Sequence, residues 1–193
     1  MAVERPILTL PAAEAELLRA AYAGAEVILE YGSGGSTVLA AELGKTVFSV
    51  ESDHDWAQMM RQWFKENPSA GDIDVIWCDI GPTKEWGHPQ NHQQWHRYVR
   101  YPIEVWTLRD FRQPDVVLVD GRFRAGCALA TAYMTKKPVD LYFDDYVQRK
   151  NYHVVESYLG QPQITGRMAH FRVLPQAIPP DRLIQVVTLL QRP

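Results

Sequence analysis

A run of small residues, Gly32-Ser33-Gly34-Gly35-Ser36-Thr37, stands between two apolar segments and constrains the fold more than any other feature of the chain. Val27-Ile28-Leu29-Glu30-Tyr31 before it reads as a buried strand. After it, VLAAEL reads as a helix closing at Gly44, and Thr46-Val47-Phe48-Ser49-Val50-Glu51 is a second apolar strand. Strand, glycine turn, helix and strand within about 30 residues is the βαβ unit. Its two strands must lie parallel, because the crossover helix returns the chain to the end of the sheet from which it started.

The alternation continues along the chain. Residues 12–22, AAEAELLRAAY, carry apolar positions at helical spacing and end near Gly24. Ser52-Asp53 can cap the helix DWAQMMRQWFKEN, which Asn67-Pro68 closes, and Ile73 to Asp79 is a third strand. A helix is expected around 98–110, a fourth strand over Asp115–Asp120, a small-residue helix over 125–135, a fifth strand over Asp140–Asp144 and a helix over 150–159. The tail differs: ITGRMAHFRVL and LIQVVTLLQ are both strand-like, separated by Pro175, Pro179 and Pro180, and are expected to pair antiparallel. No repeat or linker interrupts the pattern, so residues 1–193 are expected to form one α/β domain with a mostly parallel sheet.

Composition removes several classes of function. A net charge of 20 − 23 = −3, with no long block of one sign, argues against binding nucleic acid through its phosphates. Two cysteines, Cys78 and Cys127, make neither a disulfide framework nor a C-x-x-C motif. The first residues carry acids within their apolar stretch and hold no run long enough for a signal core or a membrane span. A cytoplasmic protein without membrane contact is the resulting expectation; oligomeric state is left open.

In an open α/β sheet, ligands bind beyond the carboxyl ends of the strands, near the point where strand order reverses. Here those ends are acidic: Glu30, Glu51, Asp79, Asp120, and Asp144 with Asp145, one strand after another. Carboxylates at helix N-termini are stabilised by the macrodipole, by about 0.3–1 kcal/mol each. That accounts for one or two such positions more readily than for five around one cleft, where like charges repel.

The glycine turn discriminates between ligands. A dinucleotide fingerprint, G-x-G-x-x-G, would place its third glycine where Thr37 stands, and a pyrophosphate would be repelled by Glu30. This makes a dehydrogenase a weaker reading. A cationic ligand carrying a ribose suits the acids better. Glu51 follows Gly32 by 51 − 32 = 19 positions, the interval at which a second-strand acid reaches ribose hydroxyls, and Asp79 is placed to accept from an adenine amino group.

With these residues the chain resembles the class I S-adenosylmethionine-dependent methyltransferases. ILEYGSGGST and VFSVESD are similar to that family's first and second motifs, and the likeness extends over nearly the whole chain. It implies a Rossmann-like three-layer sandwich with a mostly parallel seven-stranded sheet and a C-terminal antiparallel hairpin. It further implies Glu30, Gly32, Ser33 and Gly34 around the methionine part of the cofactor, Glu51 on the ribose and Asp79 near the adenine.

Beyond the cofactor, Asp120, Asp144 and Asp145 are the candidate catalytic residues, at adjacent strand ends where a methyl acceptor would sit. Their arrangement is similar to that of the metal-dependent O-methyltransferases, which implies a divalent cation such as magnesium. Direct contact with a small-molecule acceptor, or capping and ion pairing with Arg122 and Arg124, are the other uses open to them; the two arginines also hint at an acidic acceptor. A non-catalytic or regulatory domain that keeps the fold is the alternative to an enzyme. His88, His92 and His96 recur at helical spacing, but Pro89 within GHPQNHQQW makes that stretch a loop and a zinc site improbable. Residues 80–97 emerge on the ligand side, where Trp86 and Trp95 either cover an acceptor as a lid or pack the loop onto the body. Trp56, Trp63 and Trp77 read as core residues.

Overall fold

The computed structural model describes residues 3–193. Helix α1 (Ala12–Gly24) leads into β1 (Val27–Tyr31), the glycine turn and α2 (Gly35–Glu42), then β2 (Thr46–Glu51), α3 (His54–Glu66) and β3 (Asp72–Trp77). A small hairpin of β4 (Thr83–Lys84) and β5 (His88–Pro89) follows, then α4 (Arg100–Ile103), β6 (Val116–Val119), α5 (Arg124–Met134) and β7 (Val139–Phe143). The chain closes with α6 (Glu156–Leu159), β8 (Gln163–Thr165), β9 (Met168–Val173) and α7 (Leu183–Leu190).

The main sheet has seven strands in the order β3-β2-β1-β6-β7-β9-β8, parallel except for β9, which runs antiparallel to both of its neighbours. Strand order reverses between β1 and β6, so the crevice beyond their carboxyl ends is the topological switch point.

Both faces of the sheet are covered, which is why the central strands are buried throughout. Because side chains alternate along a strand, each strand feeds two layers. Leu29, Tyr31, Val117, Val119, Leu141 and Phe143 pack with Cys127 and Ala128 of α5. Ile28, Val116, Leu118 and Tyr142 pack with Leu18 and Tyr22 of α1 and Leu39 of α2. Glu30 has the parity of Ile28, a placement that governs what its carboxylate can do. On α3, Asp53 caps the helix by accepting from the Trp56 amide at 3.0 Å, as the sequence pattern predicts.

The terminal segments depart from expectation. The antiparallel pair lies entirely within 163–173, as β8 and β9 joined by Gly166-Arg167, with Gly166 in the left-handed region (φ 55°) that a two-residue hairpin turn favours. LIQVVTLLQ is not a strand but α7. Its Val186, Leu189 and Leu190 are buried while Ile184 and Val187 are exposed, a helical stripe that its β-branched residues disguise. The helix seats against α5 at Gly126, where a side chain would collide with the backbone of Leu189 and Leu190. The helix expected over 98–110 is shorter, α4 with a 3-10 turn over Glu104–Thr107.

Of the three tryptophans assigned to the core, only Trp63 is buried; Trp56 and Trp77 are about 40% exposed at 41% and 38%. Both donate to backbone carbonyls at the ligand end of the sheet, Trp56 to Ser33 at 2.8 Å and Trp77 to Ser52 at 3.3 Å. Trp86 and Trp95 on the 80–97 segment are exposed, so they do not pack that segment onto the body. No helix among the described residues is long and apolar enough to cross a membrane.

Candidate functional site

The glycine turn ends β1 at the switch point. Gly32 has φ 106°, and a Cβ there would lie 2.8 Å from the Gly121 nitrogen, so the loops after β1 and β6 approach as closely as two glycines permit. Gly121 in turn faces the Tyr101 hydroxyl, which donates to the Val50 carbonyl at 3.2 Å.

Glu30, expected beside a cofactor, is fully buried on the α1–α2 side of the sheet, where Thr37 of the glycine turn covers it. Its Oε1 accepts from the Tyr22 hydroxyl at 2.6 Å, and its Oε2 from Thr37 Oγ1 at 2.5 Å and Ser49 Oγ at 3.3 Å. Thr37 Oγ1 also accepts from the Gly34 amide at 2.9 Å, so the threonine in place of a third glycine ties the turn to Glu30. Burial pushes the Glu30 carboxyl upward, while these hydroxyl donors oppose the shift.

Glu51 ends β2 and is held by backbone amides: Ser52 at 2.6 Å, Asp53 at 2.9 Å and Ser33 at 3.2 Å. Burial raises its pKa against those donors. Beside it lies a cavity of about 300 Å³, lined by Ser52, His54, Trp77, Asp79, Gln94 and Arg97 among others. Trp77 meets His54 edge to face at 4.7 Å. Asp79 accepts from Arg97 at 2.6 Å and from the Gly81 amide at 2.9 Å. Aromatic walls, a carboxylate at the rim and Glu51 next door fit an adenosine group in chemistry and size. Above Glu51 sits Gly87 (φ 67°), whose carbonyl accepts from Ser52 Oγ at 3.0 Å and whose Cα has no room for a side chain against Ser52 and Glu51. The 80–97 segment therefore covers the Glu51 end of this cleft.

Asp120, Asp144 and Asp145 come together after β6 and β7, each offering an oxygen within 4.8 Å of the others, the one such acidic group among the described residues. A divalent cation could use that spacing, but guanidinium groups already occupy the carboxylates. Arg167 binds Asp144 through two hydrogen bonds and reaches Asp145 at 3.4 Å. Arg124 approaches Asp120 at 3.2 Å and Asp145 at 3.5 Å, and Arg149 holds Asp145 at 2.8 Å. Three arginines against three carboxylates leave no unpaired negative charge for magnesium, so the donor set does not fit a metal. Asp120, with 36% of its side chain exposed, is the least enclosed of the three. Loss of solvation, reinforced by Asp144 and Asp145 and opposed by Arg124, pushes it up to about 7.

Arg122 does not join this cluster as the sequence allowed; it contacts His88 of β5 instead. His92 lies near Tyr98 and His96 near Trp95, so the three histidines do not converge. Sequence reasoning missed Tyr22, Tyr101 and Arg167. No local pattern marks them, because their partners lie 8, 51 and 23 residues away. Both cysteines are buried and free; burial pushes Cys78 up to about 12 and raises Cys127 as well.

No protein-family model and no curated protein matches the chain. Solved structures do. A methyltransferase-like protein from Silicibacter pomeroyi DSS-3 is 57% identical, with a TM-score of 0.95 over 98% of this chain and 99% of that one. The O-methyltransferase TomG from Streptomyces achromogenes, solved in complex with S-adenosylmethionine, is 14% identical with a TM-score of 0.58 over 88% and 82% of the two chains. A methyltransferase from Geobacter sulfurreducens is 14% identical with a TM-score of 0.54 over 87% and 82%. The two distant structures share the fold, and the near one shares more than half of its residues over the full length. The chain belongs to the class I methyltransferase-like family.

Proposed function

We propose that the protein transfers a methyl group from S-adenosylmethionine to an oxygen or nitrogen of a small-molecule acceptor, without a divalent metal. Asp120 carries the reading: it ends β6 at the switch point, is the most open carboxylate of the cluster, and loss of solvation pushes it up to about 7, which suits a base for an acceptor proton near neutral pH. The bound cofactor supplies an electrophilic methyl carbon on a sulfonium sulfur. Glu51 accepts from the ribose, and Asp79 with the Trp77 wall receives the adenine. Gly32, Ser33 and Gly34 form the turn against which the methionine part lies, and Glu30 holds that turn in shape through Thr37. Arg124 keeps Asp120 oriented and Arg167 fixes Asp144 and Asp145, a task a metal performs in other enzymes of this chemistry. For ribose to reach Glu51 the turn at Gly87 must withdraw, so the 80–97 segment acts as a lid.

The seating of Gly87 on Ser52 favours a second reading, a non-catalytic domain whose cofactor cleft stays covered. Thermal shift with S-adenosylmethionine, S-adenosylhomocysteine and NAD, followed by turnover on a panel of phenols, amines and carboxylic acids, separates the two. A ligand at a hundred times its dissociation constant stabilises by about 2.7 kcal/mol. Glu51→Ala is expected to remove the shift. Absence of any shift with the first two ligands sinks the methyltransferase reading, and a shift without product on the panel favours the second.

A further inference from the structure

Arg122 stands apart from the other arginines of the ligand face. Arg97, Arg124, Arg149 and Arg167 each pair with a carboxylate, whereas among the described residues no acid lies within ion-pair distance of Arg122. Its Nε is buried with no hydrogen-bond partner, and its Nη1 abuts the imidazole of His88. A half-buried guanidinium without a counter-charge is costly, and an anionic ligand would lower that cost. Its neighbours deepen the imbalance. Burial presses the His88 imidazole toward its neutral form, and Arg122, Lys84, Arg149 and Arg124 act in the same direction. Among the described residues, Arg124 and Arg149 are the two of these cations that are matched, by Asp120 and Asp145.

Position gives the charge a meaning. Arg122 follows Asp120 by two residues after β6, and His88 starts β5 immediately after Gly87, the hairpin residue that covers Glu51. We infer that Arg122 and His88 receive an oxyanion, a carboxylate or phosphate group, on the methyl acceptor. The inference rests on placing the acceptor beside Asp120, as proposed above. A planar guanidinium offers two parallel donors to such a group, and an imidazole that has gained a proton offers a third. The same anion would link the β4–β5 hairpin to β6 and hold the lid over the bound acceptor.

The test follows the His88 ring signals by NMR while inorganic phosphate, or acetate, is added at constant ionic strength with chloride as the control. A saturable shift with one of the oxyanions and none with chloride is expected, and Arg122→Met should weaken binding at least tenfold while Arg122→Lys retains part of it. The stronger of the two anions names the group. Circular dichroism checks that both variants fold, and Lys84→Met, at an exposed position of the hairpin, gives a milder loss that does not depend on them. No saturable shift, or equal binding by Arg122→Met, overturns the inference. Thermal shift with S-adenosylhomocysteine on the same samples keeps the two readings apart. Cofactor binding without an anion response overturns only the oxyanion site, and an anion response without cofactor binding overturns the methyltransferase reading while leaving the site in place.

Discussion

The Arg167 guanidinium closes on the Asp144 carboxylate through two parallel hydrogen bonds, Nε to Oδ1 at 2.9 Å and Nη2 to Oδ2 at 2.8 Å. The backbone on both sides of that side chain is tied down, its amide donating to Glu14 of α1 at 2.8 Å and its carbonyl accepting from Tyr146 and Val147. A residue of the β8–β9 turn is thereby clamped to α1, to the loop after β7 and to the acidic cluster. With Asp144 1% exposed, removing Arg167 strands a buried charge. Arg167→Met is expected to cost about 3 kcal/mol, the low end for breaking a buried pair because the arginine keeps 30% exposure. Urea denaturation of the variant against the parent reads that loss directly.

Because Arg124, Arg149 and Arg167 neutralise Asp120, Asp144 and Asp145, magnesium and manganese should give no binding heat in calorimetry, with or without S-adenosylmethionine. Turnover should survive a chelator unchanged. A stoichiometric manganese signal that disappears in Asp144→Ala would show that the guanidinium groups yield to a metal.

Asp120 carries a pH dependence whose sign can be worked out. Its ordinary value of 3.8 is raised to about 7 in the folded protein, so the neutral acid is the form that folding favours. The associated stability is fully present below about 3.8 and is lost as pH rises through about 7. Asp120→Asn should therefore raise the melting temperature relative to the parent at pH 8 and converge with it near pH 4. Methyl transfer depends on the opposite form: the rate should climb as Asp120 ionises through about 7 and then level, and the asparagine variant should lose that limb.

Tyr22 is one of three hydroxyl donors that satisfy Glu30 inside the α1–α2 layer. Tyr22→Phe leaves Oε1 without its 2.6 Å partner and should destabilise by about 1–3 kcal/mol, the cost of an unsatisfied buried acceptor. If Glu30 acts by shaping the turn, the affinity for S-adenosylhomocysteine should fall along with stability. Glu30→Gln, which keeps the shape and alters the hydrogen-bonding, should fall between the variant and the parent in both measurements.

Patterns of five or six residues determined much of this protein. Val27–Tyr31, the glycine turn and Thr46–Glu51 point to a parallel pair, since parallel neighbours need a connection long enough to hold a crossover helix, and β1 and β2 do pair parallel. Once the strands are parallel, the acids that end them must share one edge of the sheet, and Glu51, Asp79, Asp120 and Asp144 do. What each acid does there was decided only in three dimensions. Glu30 is enclosed because it lies one residue short of the strand end, on the face that α1 and α2 cover, and its partner Tyr22 belongs to a helix whose seat depends on the finished sheet. The fate of the Asp cluster depended on Arg167, brought in by a hairpin placed beside β7. α7 is a helix for a similar reason. Its Ile and Val residues favour strand locally, and the surface of α5 at Gly126 offers an apolar stripe its best burial. Local chemistry sets which elements form and which ends carry charge, while charge compensation and burial are sums over distant neighbours and exist only once the chain has folded.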